Sequence, residues 1–441
     1  MDLNNVEFTW IKNKPESWKT QRVKNHFILT KNRTETPQGY PILSLTMKGI
    51  IERDISSNEG QLPETYNGYN LLEKDDIVFN PMDLISGWVD CSPYEGLISP
   101  SYKVLRPISK KVNIKFYTYY FQTHYKEKIF FPFGEGVHYE YRWGLGTETL
   151  KNFPIIVPPL TEQQQIVSFL DTKTSLIDSL IEKTKRKIEL LKEKRTSLIN
   201  EVVTKGLNPN VEMKDSGVEW IGEIPSHWEY IPTKYFTIND KGVQTGPFGT
   251  QLNTKDYVES GVKVMNQKTL IDEDYDIGEE FISYEKYESL KVFEVIEGDI
   301  IMGTRGSFGT GKRTTFGKVS IVPSGLGDCV LHPCLIRIRL KENLMMKRYY
   351  YIYVNDSSYF LDDVKDTSNS TTIEVIYGVT LKDIKVPVPP IQEQQQIVEY
   401  LDEQTGLIDK TISIEEKRIK LLKEYRQSLI SEVVTGKRKV V

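Results

Sequence analysis

The chain has 441 residues, of which 39% are hydrophobic, and its formal net charge is −4, so it has room for about three domains with buried cores. No apolar run reaches the roughly 18 residues of a membrane span. The N-terminus lacks a signal peptide's basic start and apolar run, and three cysteines are too few for a disulfide framework. We therefore expect a cytoplasmic protein with reduced thiols.

The first segment, residues 1–157, has the pattern of a mixed α and β domain. Short strand-like runs, such as those at 76–79 and 102–105, are separated by Gly, Pro, Asn and Ser. The aromatic-rich run at 116–121, like a later one at 349–353, favours a buried helix over a surface that stacks bases.

A long helix is predicted for residues 158–205. Pro158 and Pro159 mark its start, and Thr161 with Gln164 has the spacing of a capping box. Between 167 and 202, eight of eleven positions spaced alternately by three and four residues are apolar, which is typical of a coiled-coil seam. A helix over 161–204 is roughly 66 Å long, at ~1.5 Å per residue.

The remainder, residues 206–388 and 389–441, repeats this plan. The word PPLTEQQQIVSFLD at 158–171 returns as PPIQEQQQIVEYLD at 389–402, 231 residues later, and the register holds to the end of both helices. Residues 206–388 therefore form a second variable domain, and 389–441 a second long helix. Two equal apolar stripes in one chain predict that the helices pack on each other, and the duplication favours an antiparallel pair.

Each variable domain combines an acidic stretch with a basic one. Residues 52–95 hold ten acidic and two basic side chains, whereas 101–131 hold one acidic and seven basic. In the second domain, 252–297 hold twelve acidic and five basic, and 299–348 hold three and nine. A solvated surface of mixed sign explains either half alone, but the recurrence favours an anionic ligand met twice.

Three motifs suggest catalytic or metal chemistry and none is complete. Residues 306–312 match G-x-x-x-x-G-K, but Arg313 replaces the magnesium-binding Ser or Thr, and a basic hairpin loop is the better interpretation. The run Asn80-Pro-Met-Asp lacks the second proline and the aromatic of an amino-methyltransferase signature. Cys329, His332 and Cys334 lack a fourth zinc ligand, so no metal site and no catalytic residue is predicted.

Several short sequence motifs, taken in their order along the chain, give it a family resemblance. They are the two copies of the Pro-Pro…Glu-Gln-Gln-Gln-Ile-Val word, KDSGVEWIGEIP before Trp228, GPFGTQL at 246–252, and NPMDL at 80–84 with Ser99-Pro100. Together they resemble the DNA-specificity subunits of type I restriction–modification systems. The opening of the first domain departs from KDSGVEW at 214–220, so the resemblance is weakest at the N-terminal edge.

The resemblance implies an α+β fold, with two target-recognition domains separated by two long helices that form an antiparallel coiled coil in a pseudo-twofold tandem repeat. It implies that each domain reads one half of a split, asymmetric target in double-stranded DNA, and that the helices set the spacer and dock two methylation subunits. Restriction subunits join that core. S-adenosylmethionine, ATP and magnesium are expected on the partners, with no cofactor and no catalysis in this chain.

Loop and basic residues are the candidates for DNA contact, and Arg142 and Arg305 lead because arginine reads guanine with two hydrogen bonds. The candidates are Asn80, Met82, Ser86, Trp88, Lys110, Lys111, Arg142, Gln244, Thr245, Gly246, Phe248, Arg305, Ser307, Lys312, Arg313, Ser370 and Thr371. The candidates for helix pairing or partner docking are Ile166, Leu170, Ile177, Ile181, Ile188, Leu191, Leu198, Ile397, Leu401, Ile408, Ile412, Ile419, Leu422 and Leu429. A coiled-coil interaction scaffold that binds no DNA is the alternative.

Overall fold

Two compact units make up the chain, one of residues 1–185 and 416–441 and the other of residues 186–415. Both boundaries fall inside long helices, so each unit holds one globular domain and part of each helix. A computed structural model describes residues 9–12, 14–35, 37–54, 63, 65–136, 143–239, 241–276, 278, 280–306, 315–367 and 374–440. Within these ranges, no helix is both long enough and apolar enough to cross a membrane.

The two long helices are Leu160–Lys205 and Ile391–Val434, which confirms the predicted repeated helix. Because the first begins at Leu160, Thr161 lies inside its first turn, and the predicted capping box with Gln164 is wrong. The backbone N–H of Gln163 donates to the carbonyl of Pro159 at 3.0 Å and closes that turn instead.

Within each unit the two helices run antiparallel. In the first unit, Ile166 shares a cleft with Gly436, and Asp178 Oδ1 lies 2.9 Å from Nε of Arg426. Residue numbers therefore rise along one helix as they fall along the other. In the second unit, a cleft lined by both Gly206 and Ile397 and an ion pair between Arg195 and Asp409 give the same direction. The supercoil of a coiled coil stays a prediction.

The residues predicted to pair the helices are withdrawn from solvent to different degrees. Ten are buried, namely Ile166, Leu170, Ile177, Ile181, Ile188, Ile397, Leu401, Ile408, Ile412 and Leu429. Four are half-buried, namely Leu191, Leu198, Ile419 and Leu422. Because burial of these side chains stabilises the pair, they are first of all structural residues.

The first domain has one antiparallel four-stranded sheet and one mixed four-stranded sheet. The antiparallel sheet runs, strand beside strand, Phe27–Thr30, Lys103–Pro107, Ile77–Phe79 and Val89–Cys91. The mixed sheet runs Gly49–Glu52, Ile42–Thr46, Gly96–Ile98 and Asn70–Leu72. Two further strand pairs are Lys19–Arg22 with Pro154–Val157, and Gly134–Glu135 with Gly144–Leu145.

The second domain repeats this topology. Its antiparallel sheet runs Val243–Thr245, Leu335–Ile338, Ile300–Gly303 and Val319–Ile321. Its mixed sheet runs Tyr257–Val258, Phe281–Ile282, Val262–Met265, Cys329–Leu331 and Glu294–Val295, with one parallel pair as in the first domain. The two-stranded pairs are Met213–Asp215 with Glu223–Pro225, Glu229–Pro232 with Lys385–Val388, and Arg305–Gly306 with Glu374–Val375.

Shorter helices pack around these sheets. The aromatic-rich runs lie in Ile114–Lys126 and Lys347–Asp356, and their rings are largely buried, which confirms the prediction of core helices. The others are Thr9–Lys12, Thr147–Asn152, Thr233–Phe236, Thr269–Asp272, Tyr284–Ser289, Tyr359–Thr367 and Gly378–Asp383. The mixed architecture predicted from the sequence is therefore confirmed.

Each domain docks on a long helix through the repeated Glu-Gln-Gln-Gln word. Glu162 accepts a hydrogen bond from the indole of Trp18 at 2.7 Å, and Glu393 accepts one from Trp228 at the same distance. Each helix ends at a glycine with positive φ, and that glycine lies against the tryptophan ring. A Cβ at Gly206 would lie 3.0 Å from Trp228, and a Cβ at Gly436 would lie 3.0 Å from Trp18. The predicted helix end at Gly206 is thus confirmed.

Candidate nucleic-acid interface

The described DNA-contact candidates of the second domain lie at one edge of its antiparallel sheet. Thr245 pairs with Ile336, and Met302 pairs with the same residue from the other side, so the two strands that flank Leu335–Ile338 end at this edge. The chain leaves the first of them into the loop that carries Phe248 and the second into the strand that carries Arg305. Two loops far apart in sequence therefore lie side by side.

In the first of these loops, Phe248 is the side chain that faces solvent. It is 54% exposed, and its backbone N–H donates to Oε1 of Gln251 at 3.1 Å, which holds the turn. Gly246 is buried, and a Cβ there would lie 2.2 Å from the carbonyl oxygen of His332. Gly246 is thus a site of close backbone approach, and its DNA contact stays a prediction.

Arg305 lies on the short strand Arg305–Gly306, and its side chain is exposed. Its carbonyl accepts a hydrogen bond from the Gln267 amide at 3.0 Å and one from the Thr315 hydroxyl at 3.2 Å. The flanking strands Ile300–Gly303 and Val319–Ile321 pair antiparallel. Residues 307–312 of the glycine-rich run lie outside the described residues, so the hairpin-loop interpretation stays a prediction.

Six predicted contacts lie outside the described residues. They are Arg142, Ser307, Lys312, Arg313, Ser370 and Thr371. Gln244 and Thr245 are half-buried at the end of their strand, and they stay predictions.

In the first domain, the loop from Asn80 to Ser86 lies at the matching sheet edge. The Asn80 side chain accepts a hydrogen bond from the backbone of Met82 at 3.1 Å, and Met82 is 47% exposed. Partial burial works to raise the pKa of Asp83, but hydrogen bonds from Ser86 and Ile85 outweigh it and leave the pKa lowered. The loop thus presents the Asp83 carboxylate, held by these hydrogen bonds, between the exposed side chains of Met82 and Ile85.

Three other candidates in the first domain do not join this loop at the surface. The carbonyl of Trp88 accepts a hydrogen bond from the backbone N–H of Asn80 at 2.8 Å, but its side chain belongs to the core, with the Lys126 ammonium 5.1 Å from its ring centroid, and Trp88 is only 7% exposed, so its DNA contact stays a prediction. Lys110 and Lys111 follow Pro107, at the opposite end of the strand that begins at Lys103. The structure therefore does not bring these lysines together with the 80–86 loop.

Several cations of the basic stretches pair with the protein's own carboxylates. Arg106 binds Glu73 and Asp76 at 2.6 and 2.7 Å, and its counterpart Arg339 binds Asp299 at 2.6 Å. Further cations bind the long helices, as Lys115 does at Asp171 and Arg348 at Asp402. These cations are therefore committed to the protein's own carboxylates, and an anionic ligand for the basic stretches stays a prediction.

Two exposed residues beside the predicted loops were missed by the sequence reasoning. Ile85 is 48% exposed in the 80–86 loop, and Tyr377 is 57% exposed just after the strand that pairs with Arg305–Gly306. Tyr377 adjoins the second edge, because a Cβ on the next residue, Gly378, would lie 2.6 Å from the Thr245 hydroxyl. The sequence signal available for Tyr377 is an aromatic residue directly before a glycine.

A family model described as the type I restriction modification DNA specificity domain matches residues 15–190 and again 231–424. The chain belongs to this family. Each match covers one globular domain with most of the helix that follows it, so this type I restriction–modification specificity subunit has two tandem recognition domains. The alternative of a scaffold without a DNA role finds no support in this match.

Relatives of similar length carry the same name. A Methanocaldococcus jannaschii protein assigned as the specificity subunit of the type I restriction enzyme MjaX is 25% identical over 99% of this chain and 97% of its own. The MjaVIII specificity subunit of the same organism is 26% identical over 66% of this chain and 63% of its own.

Solved structures share the fold. A chain from a structure concerned with complex assembly and conformational transition of the type I R-M system superposes with a TM-score of 0.70, at 14% identity, over 96% of this chain and 99% of that one. The HsdS subunit from Thermoanaerobacter tengcongensis gives a TM-score of 0.57 at 14% identity, over 96% and 98%. At this identity the likeness concerns the fold alone.

Proposed function

We propose that this specificity subunit reads a split, asymmetric sequence in double-stranded DNA, one half with each recognition domain. The observation that carries the proposal is that the same sheet edge, built with the same topology in both domains, presents different exposed side chains. The first edge presents Met82 and Ile85, whereas the second presents Phe248, Arg305 and Tyr377. Different side chains at one scaffold position are what two unlike half-sites require.

We propose further that the paired long helices hold the two half-sites at a constant spacing and dock two methylation subunits. Exposed leucines support the docking, because Leu176 is 56% exposed and its repeat counterpart Leu407 is 55% exposed. Leu190 and its counterpart Leu421 are 49% and 54% exposed. An apolar stripe that is repeated at one register suits two copies of one partner.

The chemistry belongs to the partners in this proposal. S-adenosylmethionine is placed on the methylation subunits, and ATP with magnesium on restriction subunits that join the same core. This chain then contributes target choice and no catalysis. Its support is the specificity-domain match over both halves of the chain.

Selection from random duplexes tests the proposal. The full chain, assembled with its methylation subunit, is mixed with random-sequence duplex DNA at low salt, and the captured DNA is sequenced. We expect one motif with two unlike halves and an unspecified spacer of constant length. Capture without any enriched split motif contradicts the proposal, and a motif with two identical halves contradicts the assignment of one half to each domain.

A further inference from the structure

The first domain carries a short basic segment, Lys31-Asn32-Arg33, directly after the strand Phe27–Thr30. Thr30 faces Val104 across one ladder, and Val78 faces the same residue across the next. The strand that ends at Thr30 and the strand that ends at Phe79 are therefore parallel to each other and end at one sheet edge. Lys31 and Asn80 leave the sheet at that edge, roughly 10 Å apart at ~4.8 Å per strand spacing.

The same comparison identifies the segment's counterpart in the second domain. There the strand Val243–Thr245 occupies the position of Phe27–Thr30 in the sheet order, and the chain continues into Gly246-Pro247-Phe248. Lys31-Asn32-Arg33 is thus the first domain's version of the Phe248 loop. The two loops differ in residue type, which is why the word GPFGTQL has no visible copy in the first domain.

The backbone of this segment is pinned. Asn32 accepts a hydrogen bond from the backbone of Leu71 at 2.7 Å, and the backbone of Thr34 donates to Tyr69 at 3.0 Å. The N–H of Asn32 also donates to the Thr30 hydroxyl at 3.3 Å. The cationic side chains of Lys31 and Arg33 therefore extend from a segment whose backbone is fixed by hydrogen bonds.

The positive charges of Lys31 and Arg33 are available to a ligand, unlike those of neighbouring cations. Both side chains are exposed, and among the described residues no carboxylate pairs with either. Arg106 in the adjacent strand is bound by Glu73 and Asp76. Lys103, at the start of that strand, donates to the Leu145 carbonyl, and burial lowers its pKa to about 8.

We propose that Lys31 and Arg33 bind the DNA backbone phosphates that flank the half-site read by the 80–86 loop. The distance between the two loops agrees with phosphate binding by one and base contact by the other. At ~10 Å it is close to the ~12 Å width of the major groove, whose walls carry the phosphates. Phosphate contacts fix orientation on the duplex, and the exposed side chains of the 80–86 loop then meet base edges. This inference rests on the proposed DNA-binding function.

Salt dependence of DNA binding is the measurement. The full chain, assembled with its methylation subunit, is titrated with a random-sequence duplex between about 50 and 200 mM salt, where each phosphate contact contributes about 0.9 to the slope of log affinity against log salt. Lys31→Ala with Arg33→Ala should lower the slope by roughly 1.8 and weaken binding about eightfold per lost contact near 0.1 M salt. The effect should be equal across sequences, because phosphates carry no sequence information.

The matched control removes two exposed positive charges from residues ahead of the strand Phe27–Thr30. Lys19→Ala with Lys24→Ala should leave the slope within experimental error of the unmodified chain. Lys31→Arg with Arg33→Lys keeps both charges and should retain the slope, which separates lost contacts from misfolding. If the two double-alanine variants behave alike while the unmodified chain binds DNA, the inference is overturned and the proposed function stands. If the unmodified chain binds no duplex at any salt, the proposed function itself falls.

Discussion

Arg195 of the first long helix binds Asp409 of the second, with Nε 3.1 Å from Oδ1. The duplication creates the reciprocal pair, Asp178 with Arg426 at 2.9 Å, because 178 and 409, like 195 and 426, are 231 residues apart. Each helix therefore supplies one acid and one base at the same repeat positions. Antiparallel pairing sets unlike charges together, whereas an in-register parallel pair would oppose like charges, which is destabilising.

A double-mutant cycle on Arg195→Ala and Asp409→Ala should show a coupling free energy of roughly 0.3–1 kcal/mol, since the pair is only partly buried. Urea denaturation of the four proteins measures it. The exposed pair Arg186 and Glu189, 3.0 Å apart within one turn, is the control and should couple less. Strictly additive single variants would remove the ion pair from the forces that align the helices.

Gln163→Leu should destabilise the first unit by roughly 2–4 kcal/mol, because several buried polar groups lose partners. Gln163 is fully buried; its amide oxygen accepts from Asn113, and its nitrogen donates to Lys111 and Pro158. Thermal or urea unfolding with a probe in the first domain is the measurement. Gln163→Glu keeps the shape but loses both donors, so it should be at least as damaging; a silent Gln163→Leu contradicts this role.

Glu415→Thr should be neutral or mildly stabilising, because it replaces a buried carboxylate with the residue type found at the equivalent position 184. Glu415 is 8% exposed in its side chain and binds the Lys187 ammonium at 2.6 Å. Lys187→Ala removes this ammonium partner from a buried carboxylate and should cost roughly 1–3 kcal/mol. The urea unfolding midpoint of Glu415→Thr should therefore be higher than that of Lys187→Ala. A lower midpoint for Glu415→Thr contradicts this prediction.

The sequence was sufficient for the repeat and the two long helices, since a periodic apolar stripe copied over forty residues leaves few alternatives. It was insufficient for the role of the repeated Gln163, because the partners of its amide are backbone groups near residues 111 and 158. Local spacing suggested Gln164 and a capping box instead. Tertiary contact between a loop and a helix start decides such roles, and no local pattern encodes it.

The candidate interface was predicted only in part for the same reason. The 80–86 loop was found from its sequence, but the strands that bring Lys31 to the same edge pair with residues about seventy positions later. Charge counts also misled, because Arg106 lies in a basic stretch yet binds Asp76 of the neighbouring acidic one, and Arg339 binds Asp299 within its own basic stretch. Net charge per stretch cannot distinguish an internal ion pair from a ligand site.

Arg305→Ala should relax one base position in the second half-site and leave the first half-site unchanged, because arginine discriminates guanine by roughly 1–3 kcal/mol. Motif selection with the complete complex measures both halves in one experiment. The exposed Lys241, before the strand that starts at Val243, lies at the opposite sheet edge, so Lys241→Ala is the control. An unchanged motif for Arg305→Ala removes Arg305 from the base-reading residues.

Leu176→Asp with Leu407→Asp should abolish assembly with the methylation subunit while leaving the chain folded. Both side chains are more than half exposed, so the free chain loses little packing, whereas a charge in an apolar interface is costly. Native mass spectrometry should find two methylation subunits on the unmodified chain, one on either single variant and none on the double variant. Thr196→Asp with Gln427→Asp adds the same two charges at exposed, repeat-equivalent positions on another face of the two helices and should retain both copies. If the leucine double variant still carries two methylation subunits, they dock elsewhere, and the spacing role of the helices must be separated from partner binding.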